Sequence, residues 1–348
     1  MSDLQIGLIV LGIVLILAVL CLNWWQDRRV RRRMQAHFPT TEQDPLLGGS
    51  TAGGARCEPG MGAADAGDAS TGPGHDHVPA GDDAEEADPA SEVVIDVAFP
   101  EPVSGDDLIP YVRGLRSAGR KPIRVFAETD QGVHRARLYP GESYASLQIA
   151  VLLANRSGPL TAIEWSQAWA RAQDLAERFD AAVEGPDQQE VLERAARLDD
   201  TCAALDTQVG LTLMLGGLQP SQSVLAAARE MGFVPDGARL AWMSETGLPR
   251  FTLSRADGAA FDGMAQIERL NLLLDVPRSP PDDHAFGRMV QVGRQLAERL
   301  GGSLVDDQGR PLQEGSEAVI DQRLQVLYGQ LEQAGLTAGG PRALRVFS

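Results

Sequence analysis

Residues 174–179 read Asp174-Leu175-Ala176-Glu177-Arg178-Phe179, and residues 295–300 read Gln295-Leu296-Ala297-Glu298-Arg299-Leu300. Each run closes a helical pattern and precedes a small-residue turn, a short apolar stretch and a polar loop. The order of elements upstream repeats as well. From Glu92 the alternation predicts a strand at Val93–Phe99, a helix at Asp106–Ala118 ended by Gly119, and strands at Ile123–Glu128, Val133–Leu138 and Ser146–Leu153. A helix then opens at the capping box Thr161-x-x-Glu164, whose hydroxyl and carboxylate satisfy orphan backbone amides reciprocally. It is expected to run to about Phe179, followed by a short strand and a helix near Gln188–Leu205.

The second pass predicts a strand at Val209–Leu215, a helix at Ser223–Met231 ended by Gly232, and strands at Arg239–Met243, Arg250–Ser254 and Leu270–Val276. A helix from Asp283 to Leu300, a strand at Ser303–Val305 and a helix from Glu317 to Gln333 complete it. An internal duplication with a period of about 115–120 residues accounts for this order. Two unrelated α+β domains with the same element order are the alternative. The expected fold is α+β: two tandem units of antiparallel sheet with helices on one face, residues 92–206 as a degenerate first copy and 207–336 as the second. Residues 337–348 are left as a C-terminal tail.

Outward from these units the composition changes. Residues 40–91 are dominated by Gly, Ala, Asp, Pro and Ser, lack aromatics and end in the acidic run Asp82, Asp83, Glu85, Glu86 and Asp88. Too little apolar surface is present to offset the entropy of ordering, which predicts a disordered linker. A flexible chain of about fifty residues reaches roughly 40 Å. His75 and His77 lie here, and two histidines on a mobile chain are too few for a metal site.

At the start of the chain, residues 4–26 carry no charged side chain and end at Trp24 and Trp25, with Arg28, Arg29, Arg31, Arg32 and Arg33 beyond. An apolar helix of about 20 residues spans a bilayer core. Tryptophans suit the headgroup boundary, and the arginines mark the cytoplasmic side. A cleaved signal peptide would carry its positive cluster before the apolar run. The expectation is a periplasmic 1–3, a membrane span at 4–26, a basic juxtamembrane segment at 27–39, and cytoplasmic domains beyond, in an inner membrane.

The net charge of −17, from 31 Lys plus Arg against 48 Asp plus Glu, disfavours nucleic acid as a partner, because that affinity comes largely from neutralising phosphates. Three scattered cysteines (Cys21, Cys57 and Cys202) form neither a disulfide framework nor a zinc pattern, in keeping with a reducing compartment. No phosphate-binding loop, nucleophile elbow or zinc-protease motif is present. His134 and His284 are isolated, and Asp306-Asp307 reads as turn chemistry. No catalytic residue, cofactor or metal is expected. The second unit instead carries more apolar strand residues than one sheet face can hide, which predicts an apolar platform around Leu273 open to a partner.

The residues of the second unit resemble the ZipA family of bacterial cell-division proteins. Ala228-Arg229-Glu230-Met231-Gly232-Phe233-Val234 is similar to the family's helix-ending Ala-Gly-Phe, and Pro249-Arg250-Phe251-Thr252-Leu253 with Phe261-Asp262 to its central hairpin. Leu272-Leu273-Leu274-Asp275-Val276-Pro277 resembles the strand ending in Val-Pro. Gly301-Gly302-Ser303-Leu304-Val305-Asp306-Asp307-Gln308 resembles Gly-Gly-x-x-Leu-Asp-Asp-Gln. These matches run in order over residues 207–336, and the first unit is tied to the family only through the repeat.

The resemblance implies a six-stranded antiparallel sheet with three helices on one face, the bare face binding the C-terminal tail peptide of FtsZ. By position the groove would be lined by Val209, Leu211, Ala238, Leu240, Ala256 and Leu273. Methionines and a phenylalanine of familiar members become Ala238, Ala256 and Leu273, and the groove lysine has no counterpart, leaving Arg239 or Arg255 as rim cations. The function implied is a non-enzymatic adaptor of cell division and septation, a divisome component at midcell that tethers FtsZ to the membrane, with other divisome proteins as further partners. The alternative is a membrane-tethered sensor or enzyme with a small-ligand site between the two units.

Overall fold

The structure, a computed structural model, describes residues 86–261, 265–313 and 315–348. The segments expected at 1–3, 4–26 and 27–39, and most of the 40–91 linker, lie outside the described residues. No helix among the described residues is long and apolar enough to cross a membrane.

Strand β1 (Glu92–Ser104) buries Val93, Ile95 and Val97 and exposes Asp96 and Ala98, the period-two pattern of a strand with one covered face. The Ser104 hydroxyl accepts from the Asp106 amide and turns the strand directly into α1 (Gly105–Val112). Strands β2 (Ser117–Ala118) and β3 (Lys121–Thr129) form a hairpin around Gly119, whose positive φ of 56° favours glycine. The helix expected to reach Ala118 therefore stops six residues earlier, and Gly119 turns a hairpin instead of ending a helix.

In place of the strand expected at Val133–Leu138, only β4 (His134–Arg135) pairs with β3. Side chains hold the loop that follows: the Tyr144 hydroxyl accepts from the Tyr139 amide at 2.7 Å and donates to Glu142, which Arg135 grips at 3.0 Å. Next come β5 (Ser143–Leu152), the small hairpin of β6 (Ala154–Asn155) and β7 (Gly158–Pro159), α2 (Ala162–Phe179), β8 (Ala182–Glu184) and α3 (Gln188–Leu205). Both halves of the capping box at Thr161 and Glu164 are formed.

The second half opens with β9 (Gln208–Pro220), which runs straight into α4 (Ser221–Glu230). Strands β10 (Phe233–Asp236), β11 (Arg239–Met243), β12 (Pro249–Arg255) and β13 (Gln266–Asp275) follow, then α5 (Ala285–Arg299), β14 (Ser303–Val305) and α6 (Ser316–Gln333). Strand β10 was not legible in the sequence. It is four residues long and contains Pro235, which the outer position of an edge strand tolerates.

Both halves build an antiparallel sheet on one plan. The second sheet has the order β10-β11-β12-β13-β9-β14, and the first has β2-β3-β5-β1-β8 with β4 beside β3. In each, the opening strand lies between the strand before the long helix and the short strand after it. The first half has one strand fewer along this path, at the place where Val133–Leu138 fails to form one.

Helices cover one face of the second sheet. Leu211, Leu213, Leu253, Leu270 and Leu272 form a core with Phe286, Met289 and Leu296 of α5 and Leu324 and Leu331 of α6. Gly293 lets α5 approach closely, since a Cβ there would stand 2.8 Å from Leu272 Cδ1. Asp321 of α6 accepts from the amides of Phe286 at 2.8 Å and Gly287 at 3.2 Å, capping α5 from a neighbouring helix.

Residues 337–348 are not a free tail. They form α7 (Pro341–Val346), and Ala343, Val346 and Phe347 are fully buried in the second core. Folded structure also reaches back into the expected linker: Ser91 is buried, and Asp88 pairs with Arg342 at 2.6 Å and Arg345 at 3.0 Å. A second tie joins the halves. Arg156, in the turn between β6 and β7, holds Asp206 and Asp275 at 2.6 Å each, and its guanidinium lies 5.9 Å from the Phe347 ring centre. Lys121, the chain's single lysine, is fully buried. Its ammonium donates to Asn155 Oδ1 at 2.7 Å and to the Gly158 carbonyl, which fixes the turn that presents Arg156.

Candidate functional site

Register decides which side chains of the second sheet face away from the helices. Leu272 pairs with Leu211 and Leu274 with Val209, so these lie on the helix side. One residue on, Leu273 pairs with Gly210 and Thr252, and Thr252 pairs with Ala241, which pairs with Val234. These five form a row across five strands on the helix-free face. A neighbouring row contains Thr212, Asn271 and Ser254, and a third contains Met214 and Arg269. Apart from Ala241, which is buried, all of these residues are half-buried or exposed.

Of the six groove positions expected, the structure brings only Leu273 to the middle of this face. Leu211 and Leu240 are 3% and 2% exposed, beneath the helices, and Val209 shares their side. This corrects the expected register, because a shift of one residue along a strand exchanges the two faces. Ala238 sits in the turn between β10 and β11, and Ala256 follows the end of β12, where its amide donates to the Arg269 carbonyl. Both are exposed and at the periphery.

The face is also less apolar than expected. Thr212, Ser254, Thr252 and Asn271 separate Leu273 from Met214 and Val234. Alternation explains this: the leucine-rich strands spend their apolar residues on the helix side, and the intervening positions are small or polar. Of the two rim arginines expected, Arg255 donates to the Ala260 carbonyl and to Asp257 at 2.5 Å, so its charge is committed. Arg239 is exposed with no carboxylate partner among the described residues, and so is Arg269, which sequence reasoning missed. Its pairing opposite Met214 is the signal that finds it.

The platform is braced at its ends. Asp282, just before α5, binds Arg250 at 2.5 Å and Arg288 at 2.9 Å, joining β12 to the helix layer. Burial alone would push the Asp282 carboxyl up, but hydrogen bonds from Arg288 and the His284 amide outweigh it and hold the carboxyl below its ordinary range. Cys202 lies in the core, and burial pushes its thiol up to about 12, so it has no thiolate character near neutrality.

Between the two halves lies a cleft of about 790 Å³. Leu152 and the Glu92–Arg124 pair form its first-half wall, with the β10–β11 hairpin and α7 opposite. The volume is within the range of ligand sites. Glu92 and Arg124 bind each other at 2.5 Å, and Arg345 is held by Asp88. No group of three or more His, Cys, Asp or Glu side chains that could hold a metal occurs among the described residues.

Residues 240–323, from β11 into α6, match the family described as ZipA, C-terminal FtsZ-binding domain. The match supports a ZipA-type protein with a C-terminal FtsZ-binding domain. The chain as a whole matches no curated protein.

Proposed function

We propose that this chain is a non-enzymatic adaptor of cell division whose second half binds the C-terminal tail of FtsZ on its helix-free sheet face. The observation that carries the reading is that open face, built largely from strands inside the matched segment and centred on Leu273, with Arg239 and Arg269 unpaired beside it. An extended peptide mixing apolar and acidic side chains meets both requirements there. Leu273 and Met214 offer contact area, and the two arginines offer charge. The floor is shallow and partly polar, so a single tail gains modest affinity, since ordering the peptide offsets much of the contact energy.

The rest of the proposal concerns the N-terminal quarter. Residues 4–26 cross the inner membrane, the arginines at 28–33 hold the cytoplasmic side, and a linker ending before Asp88 carries the folded part. A polymer presents many tails to many tethered faces, and effective concentration then raises avidity well above the affinity of one contact. Titrating labelled FtsZ tail peptide with the full-length chain tests the binding step. No binding at high micromolar concentration, with no bundling of FtsZ polymers, overturns the reading. A fluorescent fusion tests the setting: a midcell band is expected, and uniform membrane signal favours the sensor alternative, with the inter-half cleft as its ligand site.

A further inference from the structure

The row formed by Gly210, Leu273, Thr252, Ala241 and Val234 crosses five strands. At about 4.8 Å between strands the crossing is roughly 19 Å, which an extended peptide covers in about six residues at 3.3 Å each. A longer segment must leave the sheet at one end of the row. At the β10 end, Val234 belongs both to the row and to the wall of the inter-half cleft. The helix-free face and the cleft are therefore one continuous surface.

The two ends differ in charge. Beyond the Gly210 end, Arg156 lies between Asp206 and Asp275, two carboxylates sharing one cation. At the cleft end the balance reverses. Arg342 and Arg345 share the single carboxylate of Asp88, while Arg124 is matched by Glu92. Arg278 lines the cleft, is exposed, and has no carboxylate partner among the described residues. Asp236 lines the same wall and stands opposite Arg239 in the β10–β11 ladder, which leaves Arg278 as the cleft cation open to an acidic partner. Leu152 and Leu344 add apolar wall.

We propose that the cleft is the second part of the peptide site. The acidic portion of a tail crossing the sheet continues past Val234 into it and pairs with Arg278 against Leu152 and Leu344. The first half thereby contributes directly to recognition, which adds contact area to a face poor in apolar anchors. This rests on the peptide-binding reading of the sheet face.

The experiment is fluorescence anisotropy of labelled FtsZ tail peptide with the full-length chain, its Arg278→Glu variant and its Leu273→Glu variant. Arg278 is exposed, so its reversal leaves the fold in place. Affinity is expected to drop fivefold or more in Arg278→Glu, and a peptide with its acidic residues changed to lysine should recover binding to that variant but not to the unmodified chain. Full affinity in Arg278→Glu together with a loss in Leu273→Glu would mean that the peptide ends on the sheet, which overturns the cleft proposal and leaves the sheet reading standing. Sensitivity to Arg278→Glu alone would mean that the peptide binds the cleft without crossing the sheet, which overturns the sheet reading and, with it, the cleft as its continuation. No binding by the unmodified chain removes both.

Discussion

Leu273 and Leu272 are adjacent leucines with opposite fates. Leu272 is fully buried against α5, and Leu273 is half-buried on the free face. Glutamate at the two positions should therefore behave differently. Leu273→Glu places a carboxylate where solvent still reaches it, at a stability cost of about 1 kcal/mol. In a peptide complex the same carboxylate is desolvated against an apolar and acidic segment, and tail binding should weaken by more than about tenfold, the equivalent of roughly 1.4 kcal/mol. Leu272→Glu buries an unpaired charge and should unfold the second half. Circular dichroism and a binding titration check both. Unfolding of Leu273→Glu would show that this face is core, and unchanged binding in a folded Leu273→Glu would move the site elsewhere. The pair also shows what the sequence could reveal about the site. A run such as Leu272-Leu273-Leu274 announces a buried strand, but apolarity alone does not say which leucine faces the helices. Pairing partners do, and Gly210 opposite Leu273 carries no hydrophobic signal to betray the row.

Helices and central strands were legible because their signals are local. The Thr161 and Glu164 box starts α2 where expected, and the boundaries of α3, β11 and β14 are those read from the chain. The elements misread are those whose existence depends on distant partners. Four-residue β10 has no room for alternation, and Val133–Leu138 has strand-like composition but is held by Tyr144, Glu142 and Arg135 side chains instead of a ladder. Helix α7 is the clearest case. Six residues cannot show a hydrophobic stripe, yet Ala343, Val346 and Phe347 close the core beside Arg156. Phe347→Ala removes a fully buried ring, and such truncations cost about 3–5 kcal/mol. Thermal melting should show a large drop in Tm. A melting curve superimposable on that of the unmodified chain would mean that residues 337–348 are a dispensable tail.

At the scale of the molecule, Asp88 joins residues 254 apart in sequence when it meets Arg342. Burial would push its carboxyl up, but hydrogen bonds from Arg342, Ser91 and the Ala90 amide outweigh that and hold it far below the ordinary carboxylate range. A depressed folded value means the contribution is full above the unfolded carboxylate value near 4 and is lost as pH falls below it. Asp88→Asn should lower Tm at pH 7, and its gap from the unmodified chain should narrow below about pH 4; a gap that stays constant from pH 7 to pH 3 would show that the charge is not what holds the clamp. Long-range charge acts in the opposite sense on binding. The chain carries −17 overall, whereas Arg239, Arg269 and Arg278 are local. An acidic peptide at low salt feels the whole body, because screening extends to about 30 Å at 0.01 M but only about 8 Å at physiological ionic strength. Salt should therefore first help and then hinder. Stopped-flow association with the tail peptide should speed up from low to physiological ionic strength as the repulsion of the body is screened. It should slow again towards 1 M, where the screening length of about 3 Å cuts off the arginines as well. A rate that falls from the first addition of salt would mean that the arginine field already dominates at long range, and that the acidic body takes no part in admitting the partner.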